Sequence, residues 1–227
     1  NKLIVSFNNK KKREKEKSSY SEIDDELIWD FLCNKDLKEK LLSLIGPELY
    51  FLHDTNLLYG DFLDGGSWHR DNPCRKTGFG PDWDQKKKYN VITVALYLSD
   101  SDETGSALNV IPKSHTLQYK KTLSNLIRNF HNKTRYLKNF KFIRNICEKF
   151  IGHEIKYKPG DLILFYSNLY HTGSTCDKSR DKAYREVILS LFGGSGDHSK
   201  NYINYELNYR KGNERYLASS RKELFFK

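Results

Sequence analysis

The sequence predicts a mainly β protein with flanking helices, an α+β chain built as a cupin-like jelly roll with a helical insertion. Three observations predict it. Two helical patterns come first along the chain, a series of short strand-like runs follows from Leu49 onward, and a basic helical stretch interrupts that series at about 116–150. The length of 227 residues suits one large domain with a sizeable core.

The N-terminal part contains a polar arm followed by two helical patterns. Residues 1–17 carry seven Lys or Arg against two Glu and few apolar residues, which predicts a mobile arm ahead of a single domain over 18–227. Ser21 and Asp24 have capping-box spacing, so residues 21–33 are predicted to form an amphipathic helix. A second helix is expected over 36–44, because Gly46-Pro47 is a helix stop.

The strand-like runs alternate with clusters of Gly, Asp, Asn and Pro, as in antiparallel β-structure. The mouth of such a jelly roll is a natural place for a metal and a substrate. The predicted strands cover 49–59, 66–70, 91–98, 107–111, 155–158, 161–166 and 184–192.

The positive charge is concentrated in two segments of the chain. The formal net charge is +10, and residues 116–150 alone carry nine Lys or Arg against one Glu. Such a basic lobe can attract an anionic small-molecule substrate, or it can be an ordinary solvated surface. No recognised nucleic-acid motif accompanies the charge, so nucleic acid is the less favoured partner.

Composition narrows the class of protein further. No apolar run reaches the length of a membrane span, and the N-terminal residues lack the hydrophobic stretch of a secretory signal. The four cysteines are scattered without C-x-x-C spacing, which predicts free thiols and a cytoplasmic location.

His69 and Asp71 have the spacing of two ligands to one metal ion. In a strand, side chains two residues apart point to the same face, so the imidazole and the carboxylate can converge. His171 follows a strand-like run, and a jelly roll can bring that strand beside the first. Two histidines and one carboxylate form the facial triad that leaves open positions on Fe(II) for a co-substrate and dioxygen.

Arg185 is the candidate for binding an oxoacid co-substrate. An oxoacid that chelates a metal through its 1-carboxylate and 2-keto oxygen still needs its far carboxylate held, and a guanidinium can do so with two parallel hydrogen bonds. Arg185 opens a predicted strand, with Val187, Leu189 and Leu191 on the same face.

Three phrases and the strand arginine give the chain its resemblance to the phytanoyl-CoA dioxygenase family. They are WHRDNP at 68–73, ETGSALNVIPKSH at 103–115 and GDLILFYSNLYHTGS at 160–174. The middle phrase is the most specific, since the family shows the form G-x-L-x-V-x-P-G-S-H after a strand that ends in a short acidic turn. Lys113 stands where the family usually has glycine.

The resemblance covers roughly residues 45–192 and implies a double-stranded β-helix. It also implies Fe(II) held by His69, Asp71 and His171, 2-oxoglutarate as co-substrate, and a hydroxylation that releases succinate and carbon dioxide. Asn109 and Ser174 are further candidates to contact the oxoacid, and the candidates for the pocket wall are Trp68, Tyr59 and Tyr97.

Two rival interpretations stay open at this point. A cupin-like zinc or manganese isomerase or hydrolase would use the same three ligands without oxoglutarate, and Arg185 argues against it. A basic nucleic-acid-binding or anion-binding protein with a vestigial metal site is the other, and an intact triad argues against that one.

Overall fold

The computed structural model describes residues 19–21, 26–61, 66–71, 90–116, 123–134, 137, 140–175, 184–195 and 199. The predicted arm at 1–17 lies outside these residues. The described helices are α1 (Glu26–Leu32), α2 (Lys35–Ile45), α3 (Ser101–Thr104), α4 (Leu123–Lys133) and α5 (Lys141–Ile151). The described strands are β1 (Ser19–Ser21), β2 (Tyr50–Asp61), β3 (Val91–Tyr97), β4 (Leu108–Val110), β5 (His153–Ile155), β6 (Leu162–Tyr166), β7 (His171–Gly173) and β8 (Tyr184–Gly193).

A major sheet of five antiparallel strands has the order β1-β2-β8-β3-β6. Strand β3 lies between β8 and β6 and is buried along its whole length. Because side chains alternate across a strand, Ile92, Val94 and Leu96 face the N-terminal helices, whereas Ala95 and Tyr97 face the interior between the sheets. The continuous apolar run of β3 therefore reflects burial on both faces.

A minor sheet of three antiparallel strands, in the order β5-β4-β7, lies against the interior face of the major sheet. Leu108 and Val110 of β4 pack there with Ala95, Tyr97 and Val187 of the major sheet. The residue between them, Asn109, therefore lies on the outer face of the minor sheet. The two faces of this sheet have different chemistry, and both bear on the site.

The N-terminal helices cover the outer face of the major sheet. Leu37, Leu41 and Ile45 of α2 are buried at helical spacing, and the side chain of Asn34 caps the helix by accepting hydrogen bonds from the amides of Asp36 and Leu37. The predicted second helix at 36–44 is thus confirmed. The predicted start of the first helix at Ser21 is wrong, because Ser19–Ser21 pairs with β2 as a strand and helix α1 begins at Glu26.

The insertion contains two helices, α4 and α5, that contact each other and pack beside the minor sheet. Ile127 of α4 and Ile151 of α5 contact Trp68 and Ile111 in a small apolar cluster. The inward faces of both helices also carry polar groups: His131 and Glu148 are almost completely buried, and their side chains lie 2.8 Å apart. The lobe is therefore attached by a polar network as well as by apolar contacts.

The predicted fold class is confirmed: two antiparallel sheets face each other, with helices at the N-terminus and in the insertion. Three local predictions were inaccurate. The strand expected at 155–158 is found at His153–Ile155, the run 66–70 makes only a single bridge at His69, and the short strand His171–Gly173 was not anticipated. Strands of three residues are too short for alternation to reveal them.

Candidate metal and co-substrate site

His69 and His171 are joined through their backbones, although they are far apart in the sequence. The amide of each donates a hydrogen bond to the carbonyl oxygen of the other, both at 3.0 Å, as a narrow antiparallel bridge. Paired residues of a sheet present their side chains to the same side, and the two imidazole rings accordingly lie 4.3 Å apart between centroids. The fold thus brings the first and last predicted ligands together.

Asp71 completes the triad two residues after His69. Its amide donates to the carbonyl oxygen of Ser167 at 2.9 Å, which fixes the backbone beside the end of β6. The carboxylate Oδ1 lies 3.2 Å from His171 Nε2 and 3.7 Å from His69 Nε2. Among the described residues, this is the group of His, Cys, Asp or Glu whose ligand atoms lie close enough, all within 4.8 Å, to hold one ion.

The hydrogen bonds of the two histidines leave the correct nitrogens available for a metal. His69 Nδ1 lies 2.7 Å from the carbonyl oxygen of Ser67, and His171 Nδ1 lies 3.0 Å from that of Leu169. A carbonyl oxygen only accepts, so each Nδ1 carries a proton, and each Nε2 is left to face Asp71, where it can bind a metal in its deprotonated form. A second hydrogen bond of this kind commonly orients a metal-binding histidine.

Thr93, with Ser167 beside it, positions the Asp71 carboxylate through the oxygen Oδ2. The Thr93 hydroxyl, fully buried in β3, donates to Asp71 Oδ2 at 2.6 Å and lies 2.9 Å from the hydroxyl of Ser167. Burial alone would raise the pKa of Asp71, but the charge and hydrogen bond of His171, with His69 and Thr93, lower it to about 2. The carboxylate is therefore ionised at neutral pH, as a metal ligand must be.

Arg185 lies next to β7, on the same face as His171. The face follows from position: Gly173 is two residues after His171, and a Cβ added to Gly173 would collide with Arg185 Nη2. The guanidinium donates to the Ser106 hydroxyl through Nη2 at 2.7 Å and to the carbonyl oxygen of Ala107 at 3.3 Å. Against the effect of burial, Asp71 raises the pKa of His171, and the nearby charge of Arg185 acts on the same ring in the opposite direction. Arg185 therefore shares a compartment with the triad.

Two stacked tyrosines line the same compartment. The rings of Tyr97 and Tyr157 are nearly parallel, with centroids 3.5 Å apart, and the Tyr157 hydroxyl donates to the carbonyl oxygen of Ser106. Burial raises the pKa of Tyr97, and the charges of Arg185 and Asp71 both act on it. Tyr97 therefore lies near both charged groups, and its role as a wall residue stays a prediction.

Asn109 and Ser174 lie on the outer face of the minor sheet, away from the triad. Asn109 pairs with Thr172 of β7 and not with His171 or Gly173, so its side chain is on the outer face of the minor sheet. Its Nδ2 donates to the Ser174 hydroxyl at 2.9 Å and lies 3.4 Å from Glu148 of the insertion. The structure does not bring these two residues to the side of the sheet on which Arg185 and the triad meet.

The remaining wall candidates differ in position. Trp68 is buried against the insertion, where its backbone amide and carbonyl are both hydrogen-bonded by the side chain of Asn132. Asn132 therefore holds the residue directly before His69. The side chain of Tyr59 lies outside the described residues.

Several positioning residues were not identified from the sequence. Thr93 is the one small polar residue in the run VITVALY. An aliphatic hydroxyl in a strand buried on both faces needs a hydrogen-bond partner, so the sequence alone could have indicated a role for Thr93. Gly173 shares a face with His171, so the absence of a side chain there makes room for the arginine. The roles of Ser106 and Ser167 depend on contacts between distant segments and left no local sign.

The sequence matches the family Phytanoyl-CoA dioxygenase (PhyH) over residues 2–181. The chain belongs to this family. The resemblance seen in the three sequence phrases is therefore confirmed. No curated protein matches the sequence at a significant level.

Solved structures share the fold at low sequence identity. HygX from Streptomyces hygroscopicus, with nickel and 2-oxoglutarate bound, has a TM-score of 0.57 at 13% identity, over 85% of this chain and 78% of that one. EctD from S. alaskensis, with 2-oxoglutarate and 5-hydroxyectoine, has a TM-score of 0.52 at 18% identity, over 78% of this chain. The chain spans only 56% of that EctD chain and 61% of AviO1 from Streptomyces viridochromogenes Tue57.

Proposed function

We propose that this protein is an Fe(II)- and 2-oxoglutarate-dependent oxygenase that hydroxylates a small-molecule substrate. The family match supports the class of enzyme, and the triad of His69, Asp71 and His171 supports the metal. One observation supports 2-oxoglutarate as the co-substrate. The guanidinium of Arg185 packs against Gly173, on the face of β7 that presents His171.

The donor set fits Fe(II), since two imidazole nitrogens and one ionised carboxylate converge and no other protein ligand surrounds them among the described residues. When bound, iron with 2-oxoglutarate and dioxygen supplies the oxidising power for hydroxylation and releases succinate and carbon dioxide. The protein groups hold and orient the three metal ligands. Thr93 fixes the rotation of the Asp71 carboxylate, and the carbonyl oxygens of Ser67 and Leu169 fix the two imidazole rings.

Arg185 is the proposed partner of the far carboxylate of 2-oxoglutarate. Its guanidinium is half-buried, so a charge-assisted bidentate pair formed there would be stronger than one on the surface. The Ser106 hydroxyl fixes the orientation of the guanidinium, and the ring pair of Tyr97 and Tyr157 excludes water beside it. Arg185 alone is the proposed oxoacid contact, because Asn109 and Ser174 lie on the other face of the sheet.

The test is anaerobic titration of the purified chain with Fe(II) and 2-oxoglutarate. We expect the visible charge-transfer band of a metal-chelated oxoacid. Asp71→Ala should abolish the band because it removes a ligand. Arg185→Ala should keep Fe(II) binding but raise the concentration of 2-oxoglutarate needed for the band by about 10- to 100-fold, the value of a lost charge-assisted pair.

Asn109→Ala is the matched control, because it removes a polar side chain from the same sheet on its outer face. It should leave both affinities unchanged. Fe(II) binding without any band in the wild-type chain, together with no succinate formation, would favour the cupin-like metalloenzyme that works without oxoglutarate.

The substrate is proposed as a small and anionic molecule only on general grounds. The net charge of +10 favours attraction of anions, and fold similarity does not define a substrate. A reducing compartment such as the cytoplasm is part of the proposal, because the four cysteines are scattered along the sequence without C-x-x-C spacing. Nucleic acid is not part of the proposal, since the charge is the one feature that favours it.

A further inference from the structure

The insertion helices expose large apolar side chains. Phe142 is 75% exposed, Phe150 69% and Leu126 68%. Of the exposed large hydrophobic residues in the described part of the chain, only Leu44 lies outside this lobe. The exposed apolar residues of the lobe are Leu123, Leu126, Phe130, Leu137, Phe142, Ile143, Ile146 and Phe150.

The arrangement reverses the usual amphipathic pattern. A surface helix normally buries its apolar stripe and exposes its polar one. In α5, Arg144 and Glu148 point inward and are 1% and 3% exposed, whereas Phe142, Ile146 and Phe150 point outward. Of the inward groups, Glu148 accepts hydrogen bonds from the side chain of Asn109 in β4 and from the amide of Thr175, just beyond β7. The helices therefore dock through faces that combine these polar groups with Ile127 and Ile151, and they present a larger set of apolar side chains outward.

Eight large apolar side chains exposed within one lobe mark an interaction surface. The charge around it decides between occupants. Lys133 and Lys149 are exposed beside the apolar side chains, and the segment 116–150 has a net charge of +8. Two copies of this face would bring like charges together as well as apolar groups, which opposes a symmetric dimer.

A partner that fits this surface must be apolar at its centre and negatively charged at its margin. An anionic lipid surface has this chemistry, because acyl chains receive Phe, Leu and Ile while lipid phosphates pair with lysines at the headgroup level. Lysine side chains are long enough to reach the headgroups from the edge of an inserted apolar stripe. Among the described residues, no helix combines the length and apolar character needed to cross a bilayer.

We infer that helices α4 and α5 form a docking surface for an anionic membrane, with the chain lying on the lipid surface. The inference does not depend on the oxygenase proposal, because it uses neither the triad nor Arg185. It adds a location for the protein, at the surface of an anionic membrane.

The test is co-sedimentation of the full chain with vesicles. One set is phosphatidylcholine alone, and the other contains about one third phosphatidylserine. We expect binding to the anionic vesicles only, weakened by raising the salt from about 0.15 M to about 1 M, since salt screens exposed charges.

Two double variants separate the apolar and ionic contributions. Phe142→Ser with Phe150→Ser should weaken vesicle binding at least about tenfold, since each ring loses its burial in the acyl region. Lys133→Glu with Lys149→Glu should weaken it at least about fivefold per lysine. The matched controls lie on α2: Leu44→Ser, and Lys35→Glu with Lys40→Glu, all exposed positions. These should bind like the wild-type chain, and thermal melts should confirm that every variant is folded.

Three results would overturn the inference. One is a wild-type chain that stays in the supernatant with either vesicle. Another is equal binding to both vesicle types without salt dependence, which removes the anionic requirement. The last is a self-associated wild-type chain in sedimentation velocity that does not bind vesicles and that Phe142→Ser with Phe150→Ser converts to monomer, which would assign the face to a second copy.

Discussion

Both faces of the minor sheet lie beside a histidine and a carboxylate, but among the described residues only the inner group brings three possible ligands close enough to hold one ion. On the outer face, Glu148 lies 2.8 Å from His131 and accepts hydrogen bonds from the amide and the hydroxyl of Thr175. On the inner face, the Nδ1 atoms of His69 and His171 face carbonyl oxygens, so both Nε2 atoms are directed at the Asp71 carboxylate. The two groups differ in how many ligand atoms converge, and residue type alone does not reveal that difference.

The outer cluster is structural, and its removal should have the largest effect on the protein. Glu148→Ala leaves His131 and Asn109 buried beside an empty space, so we expect the free energy of unfolding to fall by about 3 kcal/mol or more. Urea unfolding measures it. The control is Glu154→Ala, which removes an exposed carboxylate from β5, the strand paired with β4. It should change the free energy of unfolding by less than about 0.5 kcal/mol. An equal loss in the two variants would contradict the structural role of the outer cluster.

Neighbouring residues of β7 offer a sharper comparison of the two faces. Gly173→Ala places a methyl group against Arg185 Nη2, so the guanidinium must move. We expect 2-oxoglutarate to bind about 10- to 100-fold more weakly, by the charge-transfer titration, with Fe(II) binding retained. Ser174→Ala, on the outer face, should change the affinity less than about threefold. A loss with Ser174→Ala as large as that with Gly173→Ala would return Ser174 to the co-substrate site.

The proximity of His69, Asp71 and His171 could be predicted from the sequence, because the relation between them is local or strongly patterned. His69 and Asp71 are two residues apart, and His171 follows a recognisable apolar strand. Arg185 was identified by the alternation of its strand, and Val187 and Leu189 do pack on its face. These inferences need only the period of a β-strand.

Asn109 and Ser174 show where that reasoning stops. Both lie in the most specific phrases of the sequence, but the face of a short strand depends on its register with a partner distant in sequence. One residue of register decides between the Arg185 face and the Glu148 face. The same limit applies to Ser21, whose capping-box spacing was overridden by strand pairing with β2.

A smaller effect is expected from the buried threonine that donates a hydrogen bond to a carboxylate on each face. Thr93 and Thr175 are both buried and each donates its hydroxyl to a carboxylate, Asp71 in one case and Glu148 in the other. Thr93→Val should lower the affinity for Fe(II) about tenfold, measured by competition with a chelator, because the carboxylate loses its orientation. Thr175→Val should leave that affinity unchanged and lower stability only. If both variants bind Fe(II) as the wild-type chain does, Thr93 has no positioning role.

The smallest effect on stability is expected in the turn that follows β4. Lys113 adopts φ = 62°, a left-handed conformation that costs a residue with a Cβ about 1–2 kcal/mol, and the family usually has glycine there. Lys113→Gly should raise the free energy of unfolding by about 0.5–1 kcal/mol, since the greater freedom of glycine in the unfolded chain offsets part of the gain. Lys113→Ala separates strain from charge: it removes the lysine but keeps the Cβ, so it should give no gain. A melting temperature raised equally by both variants would mean that charge, and not backbone conformation, is what Lys113 costs the fold.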